Sequence, residues 1–167
     1  GLGLMAMSLL KAMKGKGAIV VDIDPKKREA AKKAGAIATV DGSAPDAVQQ
    51  IQAAAKNGVW SVVDFVGSSA TVKLGIDSVI KGGKIVVVGL FVGDVTIPTP
   101  YIPMRAMTLQ GSYVGSPKEL KELIALVRKT RVPAVPIDKR PLSEANAGLM
   151  DLKAGKVVGR VVLTPAG

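Results

Sequence analysis

Short apolar runs alternate with segments of helical periodicity along most of the 167-residue chain. The apolar runs are rich in Val and Ile and predict strands buried on both faces, whereas apolar positions three or four residues apart predict helices. Because neighbouring parallel strands need a long connection, this alternation predicts a doubly wound α/β domain with a parallel sheet. The predicted strands span residues 18–23, 36–40, 60–66, 84–90 and 108–114, and the predicted helices span 4–14, 25–34, 45–56, 68–80 and 117–129.

Local signals refine the helix starts and one loop. Asp24, Ser68 and Ser116 each precede a predicted helix. We expect all three to cap their helices, since no general base lies beside the serines to activate them. Residues 91–107 contain three closely spaced prolines, which predict a loop without a helix.

The pattern changes again after residue 132. An extended segment over 134–140, a helix over 143–153 and a last strand over 157–163 are predicted there. We therefore divide the chain into a main α/β domain, residues 1–132, and a C-terminal segment, residues 133–167.

Two glycines at the first predicted helix indicate a site for a dinucleotide. Gly1 and Gly3 lead into that helix, and Asp22 ends the next strand 19 residues after Gly3. In a Rossmann-type fold such glycines let the backbone approach a pyrophosphate, and an acid about 20 residues on accepts the ribose hydroxyls. Asp22 would favour NAD over NADP by repelling a 2′-phosphate, although the basic residues 26–28 weaken that preference. The alternative is that Gly1 and Gly3 are merely the end of the sequence and that residues 22–24 only cap the next helix.

Further candidate residues follow the carboxyl ends of strands, where open α/β sheets bind ligands. Glycine at such an end either lets a flat ring approach the backbone or simply makes a tight turn. Arg160 lies in an otherwise apolar strand and needs a partner, for which a pyrophosphate and a structural carboxylate are the alternatives. The strand-end candidates are Val66 and Gly67, Gly89 and Leu90, and residues 111–115.

Composition excludes several kinds of chemistry. The sequence contains no Cys and no His, so it provides no Cys/His zinc site, thiol nucleophile or imidazole base. The 23 Lys and Arg against 13 Asp and Glu give a net charge of +10, which would suit an anionic partner. The basic residues are nevertheless spread in twos and threes, and only 3% of residues are aromatic, which favours solvated helix faces over a nucleic-acid surface. Because no apolar run is long enough for a membrane span, we expect neither nucleic acid nor membrane as a partner.

Taken as an ordered set, the motifs resemble those of a known family. The matching pieces are GLGLMA, VVDIDPKKREAAKKAGA, VVDFVGSSAT, KGGKIVVVGLFVG, LQGSYVGSPKEL and PLSEANAGLMDLKAGKVVGRVVL. They resemble the coenzyme-binding domain and C-terminal segment of zinc-type, medium-chain alcohol dehydrogenases over essentially the whole chain. The resemblance implies a Rossmann-type fold and an oxidoreductase that transfers hydride between NAD and a small alcohol or carbonyl substrate.

The same resemblance implies an assembly and a set of cofactor contacts. Full-length family members associate through the strand predicted here at 108–114, so a homodimer or homotetramer is expected. The implied contacts with the pyrophosphate are Arg160 and the end of the glycine motif at Gly1, Gly3 and Leu4. The implied contacts with the adenosine and its ribose are the ribose acid Asp22, the basic Lys27, Val66 and Gly67. The implied contacts along the nicotinamide are Val88, Gly89, Leu90, Ser112 and Val114.

The sequence departs from the family in two respects. The family's zinc is held by Cys, His and acidic side chains of an N-terminal domain that this sequence does not contain, and the first, central strand of the sheet is also missing. We therefore expect a Rossmann-type sheet truncated at its N-terminus, in a fragment that cannot oxidise alcohols alone. The alternatives are a zinc-independent oxidoreductase similar to quinone reductases and a non-catalytic nucleotide-binding module. The lack of a targeting signal favours a cytoplasmic protein.

Overall fold

A computed structural model describes residues 1–56 and 58–165, which form alternating strands and helices in the predicted order. The seven strands in these residues are β1 (Ile19–Val21), β2 (Ala38–Val40), β3 (Val59–Asp64), β4 (Val79–Val87), β5 (Thr108–Gly111), β6 (Ile137–Pro141) and β7 (Arg160–Thr164). The α-helices are α1 (Leu2–Ala12), α2 (Pro25–Lys33), α3 (Ala47–Ala54), α4 (Ser69–Ser78), α5 (Tyr101–Arg105), α6 (Pro117–Thr130) and α7 (Ala145–Lys153), and a 3-10 turn (Leu142–Glu144) precedes α7.

All strand pairs in the described part of the chain are parallel. β1 pairs with β2, β4 lies between β3 and β5, and β6 pairs with β7. Helix α1 packs against α2 and α6, whereas α3 packs against α4. Parallel neighbours joined by helices are the arrangement predicted from the alternating pattern, and the α/β fold class is confirmed.

The main sheet is interrupted between β1 and β3. These strands share no ladder of hydrogen bonds in residues 1–56 and 58–165, although the resemblance implies a central strand at this position. Val21 of β1 is 36% exposed and Val63 of β3 is 49% exposed. Residues 18–23 contain the predicted strand, but the prediction that this strand is buried on both faces is wrong. A strand paired along only one edge lacks the second neighbour that would help to cover it.

The buried side chains form two clusters, one for each part of the interrupted sheet. Val40, Ala47 and Ile51 pack beside β1 and β2, and Val59 of β3 packs against the same cluster. The larger cluster lies between α4 and the three-stranded part of the sheet, and Ile85 at its centre is fully buried. The members of this larger cluster are Val72, Ile76, Val79, Ile85 and Met107.

The proline-rich segment contains a helix that the sequence analysis excluded. Helix α5 occupies Tyr101–Arg105, within the stretch that we expected to be a loop. Pro100 is the N-cap and Pro103 lies in the first turn, where a missing backbone N–H breaks no helical hydrogen bond. Proline at these positions is compatible with a short helix, so the prediction for residues 91–107 is wrong at its C-terminal end.

The three predicted helix caps are present. The Asp24 carboxylate accepts a hydrogen bond from the Lys26 N–H at 2.8 Å. Ser68 and Ser116 each form a reciprocal capping box, with Thr71 and Glu119 respectively. These side chains satisfy amide groups that would otherwise lack partners at the helix starts.

The C-terminal segment forms a small unit of its own strands and helix. β6 and β7 pair in parallel from Ile137 opposite Arg160 to Pro141 opposite Thr164, and α7 connects them. The division of the chain at residue 132 stays a prediction. No helix in the described ranges is both long and apolar enough to cross a bilayer.

Candidate functional site

Asp64 organises the turn that follows β3. Its carboxylate accepts hydrogen bonds from the N–H groups of Val66 and Gly67, at 2.8 and 3.0 Å, and from the Thr71 hydroxyl at 2.8 Å. The Asp64 residue is only 6% exposed, so it is buried with these polar partners. The carboxylate thereby fixes the Val66–Gly67 turn and links it to the first turn of α4.

The turn after β4 is attached to the same residue. The Asp64 carbonyl accepts hydrogen bonds from the N–H groups of Val88 and Gly89, at 2.8 and 3.1 Å, and the Val66 carbonyl accepts one from Phe91 at 3.0 Å. The Val66–Gly67 and Val88–Gly89 turns are therefore held together by backbone bonds. We call this pair of turns, with Asp64, the turn unit.

Glycine is required where the two turns touch. A Cβ atom on Gly67 would lie 2.2 Å from the Gly89 carbonyl oxygen, and one on Gly89 would lie 2.1 Å from the Val66 carbonyl carbon. Gly67 also has a φ of +73°, which favours glycine on conformational grounds. Two candidates that the sequence presented as separate signals thus form one close backbone contact.

Sequence reasoning missed Asp64 as a functional residue. Its spacing to the other carboxylates in the sequence indicates neither a metal site nor a pair of catalytic acids. Its partners are mostly backbone amides, which leave no residue-type pattern. The available signal was an acid at the end of a strand, three residues before Gly67 and four before the helix-capping Ser68.

The third candidate turn follows β5. The Ser112 N–H donates a hydrogen bond to the Val87 carbonyl at 2.9 Å, so this turn begins beside the end of β4. Val114 has a φ of +48° and is 79% exposed. A β-branched residue rarely adopts the left-handed region, and such strained residues are found preferentially at ligand sites.

Four of the predicted residues meet at the start of α1. A Cβ atom on Gly1 would lie 4.0 Å from the guanidinium carbon of Arg160. The charges of Arg160, Lys27 and Asp22 all act on the backbone nitrogen of Gly1. All three charged side chains therefore lie within electrostatic range of Gly1. We call Gly1, Asp22, Lys27 and Arg160 the charged corner.

The two cations of the charged corner are Lys27 and Arg160. Neither has a carboxylate partner within 4.0 Å in residues 1–56 and 58–165. Arg28, in contrast, is engaged: it donates to the Asp22 carbonyl at 2.7 Å and pairs with Asp41 at 3.1 Å. Arg28 is thus held within the protein, whereas Lys27 is available to a ligand.

Asp22 and Gly3 also keep part of their surface open. One Asp22 carboxylate oxygen accepts the Asp24 N–H at 2.9 Å, while its second oxygen makes no hydrogen bond within the described ranges. A Cβ atom on Gly3 would have no atom within 4 Å. The start of α1 therefore combines two cations, an open backbone face and the partial positive charge of a helix N-terminus, which together suit an anion.

The predicted site falls into two parts. Gly1, Asp22, Lys27 and Arg160 come together in the charged corner, and Val66, Gly67, Val88 and Gly89 in the turn unit. No hydrogen bond or ion pair in the part that the structure describes joins one to the other. Leu90 and Ser112 are exposed next to the turn unit, and Leu4 is half-buried in α1.

The described residues do not fit a zinc ion. No three acidic side chains approach one another closely enough there to hold a metal. The whole sequence also lacks Cys and His, which supply most zinc ligands in proteins.

A separate groove lies away from the predicted residues. It has a volume of about 480 Å³ and runs between α4 and residues 94–98. Ile76 and Ile97 line its apolar part, and Lys73 and Asp77 form a 2.7 Å ion pair at its wall. The groove contains none of the predicted cofactor residues, and we do not include it in the candidate site.

Comparison with known proteins defines the class to which this fold and site belong. The family model described as zinc-binding dehydrogenase matches residues 1–129. The chain therefore belongs to the zinc-binding dehydrogenase family.

Similar proteins carry the name alcohol dehydrogenase. An NAD-dependent alcohol dehydrogenase of Sulfurisphaera tokodaii is 34% identical over 99% of this chain and 48% of its own length. An alcohol dehydrogenase of Geobacillus stearothermophilus is 31% identical over 98% of this chain and 47% of its own length. The chain thus spans about half the length of the curated relatives that it matches.

Solved structures support the same fold. The crystal structure of an alcohol dehydrogenase from the hyperthermophilic archaeon Aeropyrum pernix superposes with a TM-score of 0.87 and 35% sequence identity. The match covers 99% of this chain and 47% of that one. The Rossmann-like α/β fold expected from the sequence is therefore confirmed.

Proposed function

We propose that this chain forms the NAD-binding part of an alcohol dehydrogenase. The observation that carries the proposal is the charged corner, where Lys27 and Arg160 lack carboxylate partners in the described residues and meet the start of α1. A diphosphate would neutralise Arg160 and accept hydrogen bonds from the helix amides, and the ribose attached to it would lie near Lys27. The relatives named NAD-dependent alcohol dehydrogenases supply the identity of the dinucleotide.

Each part of the candidate site has a proposed role toward NAD. Gly1 and Arg160 of the charged corner hold the pyrophosphate together with Gly3 and Leu4 of α1, and Asp22 with Lys27 binds the adenosine ribose. Val66 and Gly67 lie beside the adenosine half. The nicotinamide lies along Val88, Gly89 and Leu90 and along the loop with Ser112 and Val114.

Bound NAD supplies the hydride acceptor for the oxidation of an alcohol. The residues of this chain then bind and orient the dinucleotide, and the turn unit excludes water from one face of the ring. Because the described residues do not fit zinc, we assign none of them a step in activating the substrate. We further propose that the 167 residues alone do not oxidise alcohols, and that the protein works in the cytoplasm as a homodimer or homotetramer.

Calorimetric titration of the chain with NAD and with NADP tests the proposal. We expect saturable binding of NAD, weaker binding of NADP, and competition by ADP-ribose, which carries the same pyrophosphate. No heat of binding from a chain that is folded by circular dichroism would refute the assignment of the charged corner. Oxidation of alcohols by the pure chain with NAD would refute its proposed inactivity.

A further inference from the structure

We propose that Asp64 is a positioning residue: its buried carboxylate locks the turns after β3 and β4 into one rigid surface against which NAD binds. The part of this inference that concerns NAD rests on the proposed function above. The coupling of the two turns does not, and it can be tested without a ligand.

The hydrogen bonds of the Asp64 carboxylate and carbonyl are directed at the two turns and the start of α4. Its side chain bonds Val66, Gly67 and Thr71, while its carbonyl bonds Val88 and Gly89. One residue thus supplies five hydrogen bonds to the two turns and the helix that follows them. Removal of the carboxylate would leave the two amides of the first turn without a partner.

Movement in the first turn would be transmitted to the second through the backbone. The Val66 carbonyl holds the Phe91 N–H, and Gly67 is in direct contact with Gly89. The close packing of Gly67 against Gly89, together with this backbone bond, couples the two turns. The carboxylate of Asp64 therefore sets the shape of a surface that extends beyond the residues it touches.

The surface organised by Asp64 is exposed. Val66 is 48% exposed and Leu90 is 79% exposed, although the acid beneath them is buried. A buried carboxylate is costly to desolvate and adds no apolar packing, so an apolar core would serve stability at least as well. The Asp64 carboxylate, which accepts three hydrogen bonds and lies beneath an exposed apolar surface, is instead suited to hold that surface in place for a ligand.

Four variants separate positioning from stability. Asp64→Ala removes all three side-chain bonds, whereas Thr71→Val removes the bond between Asp64 and α4 together with the capping-box bond from the Ser68 N–H. Asp64→Asn keeps an oxygen for the Val66 and Gly67 amides and presents an amide to the Thr71 hydroxyl, so it is the conservative variant. Val72→Ala is the matched control. Val72 is buried in α4 next to Thr71, but its apolar side chain forms no hydrogen bond with the turn amides.

Hydrogen exchange followed by mass spectrometry, without ligand, tests the coupling. In Asp64→Ala we expect peptides covering residues 64–68 and 86–92 both to exchange faster, by about tenfold. Thr71→Val should accelerate the first peptide with a smaller effect on the second, whereas Val72→Ala should leave both near the wild-type rate. Faster exchange confined to residues 64–68 in Asp64→Ala would overturn the coupling.

Titration with NAD, at a temperature at which every variant is folded by circular dichroism, tests the consequence for binding. We expect the Kd to rise about tenfold in Asp64→Ala and to stay within about twofold of wild type in Asp64→Asn and Val72→Ala. An equal rise in Val72→Ala would reduce Asp64 to a structural role.

If Asp64→Ala does not fold, Thr71→Val decides, and an unchanged exchange pattern there contradicts the inference. A folded wild-type chain that binds no NAD would refute the proposed function, and exchange would still decide the coupling.

Discussion

The turn unit and the charged corner are built on opposite principles. In the turn unit, the Asp64 carboxylate and carbonyl are all engaged by the protein, and Gly67 and Gly89 are in contact. In the charged corner, Lys27 and Arg160 have no carboxylate partner within the described ranges, and the backbone at Gly3 faces open space.

Within the candidate site, the turn unit therefore contributes a fixed shape and the charged corner contributes charge. The turn unit has its geometry without a ligand, so changes there should first reduce stability. The two cations of the charged corner lack carboxylate partners within the described ranges, so we expect changes there to reduce affinity for an anion first. The predictions below set the two parts against each other.

The largest effect is expected where the two turns touch. Gly89→Ala would place a Cβ atom against the Val66 backbone, which cannot yield as a flexible side chain could. We expect the free energy of unfolding to fall by about 3 kcal/mol, measured by urea denaturation. Gly111→Ala is the control, because a Cβ atom there has no neighbour within 4 Å. Equal stability of the two variants would show that the turns are not in contact in solution.

Loss of a cation should act on binding alone. Arg160→Ala should weaken NAD binding by about 1.5 to 3 kcal/mol while the urea midpoint stays unchanged, because the guanidinium has no ion pair to lose in the described residues. Arg140→Ala offers the reverse: Arg140 pairs with Asp138 and Asp151, at 2.8 and 2.9 Å, in the same two-stranded unit. It should lower stability and leave NAD affinity intact. A similar response from both arginines would remove Arg160 from the site.

A smaller effect on affinity is expected at Asp22. Asp22→Ala should weaken NAD binding by about 1.5 kcal/mol and narrow the preference for NAD over NADP, since its carboxylate is lost both as an acceptor and as a repelling charge. Calorimetry with both dinucleotides measures the change. Asp24→Ala, which removes only the α2 cap, should lower stability by about 1 kcal/mol without altering the ratio of the two affinities.

The smallest effect concerns pH and lies outside both parts of the site. Hydrogen bonds from the Ser116 N–H and hydroxyl hold the pKa of Glu119 below its ordinary value. Because the folded pKa is depressed, the contribution of this pair to stability is present above the unfolded pKa and is lost as the pH falls through the folded pKa. When the pH is lowered below about 4.3, the unfolding midpoint should therefore fall more in wild type than in Ser116→Ala. Parallel curves of midpoint against pH for the two proteins would contradict this.

Elements with a strong local pattern could be predicted from the sequence. Runs of Val and Ile gave the strands, and Asp24, Ser68 and Ser116 gave the helix starts, because capping depends on one side chain and its immediate neighbours. Helix α5 was missed because its prolines lie at the cap and in the first turn, where their restrictions are harmless.

Contacts between distant segments could not be read from the sequence. Nothing in the local pattern of Gly67 shows that its neighbour is Gly89, and nothing around Asp64 shows that its partners are backbone amides. The interrupted sheet was expected from the family resemblance and not from periodicity, which describes each strand alone. Arg160 was identified because a guanidinium in an apolar strand is unusual, but its position beside Gly1 required the fold.

The contact between Gly1 and Arg160 also has a consequence for the order of folding. These residues are separated by almost the entire chain, yet they lie side by side in the charged corner. Contacts of such high sequence separation carry a large loop-closure entropy and form late, whereas the capped helices form from neighbouring residues. We therefore expect the charged corner to be completed late in folding, after the turns and capped helices between its two halves have formed.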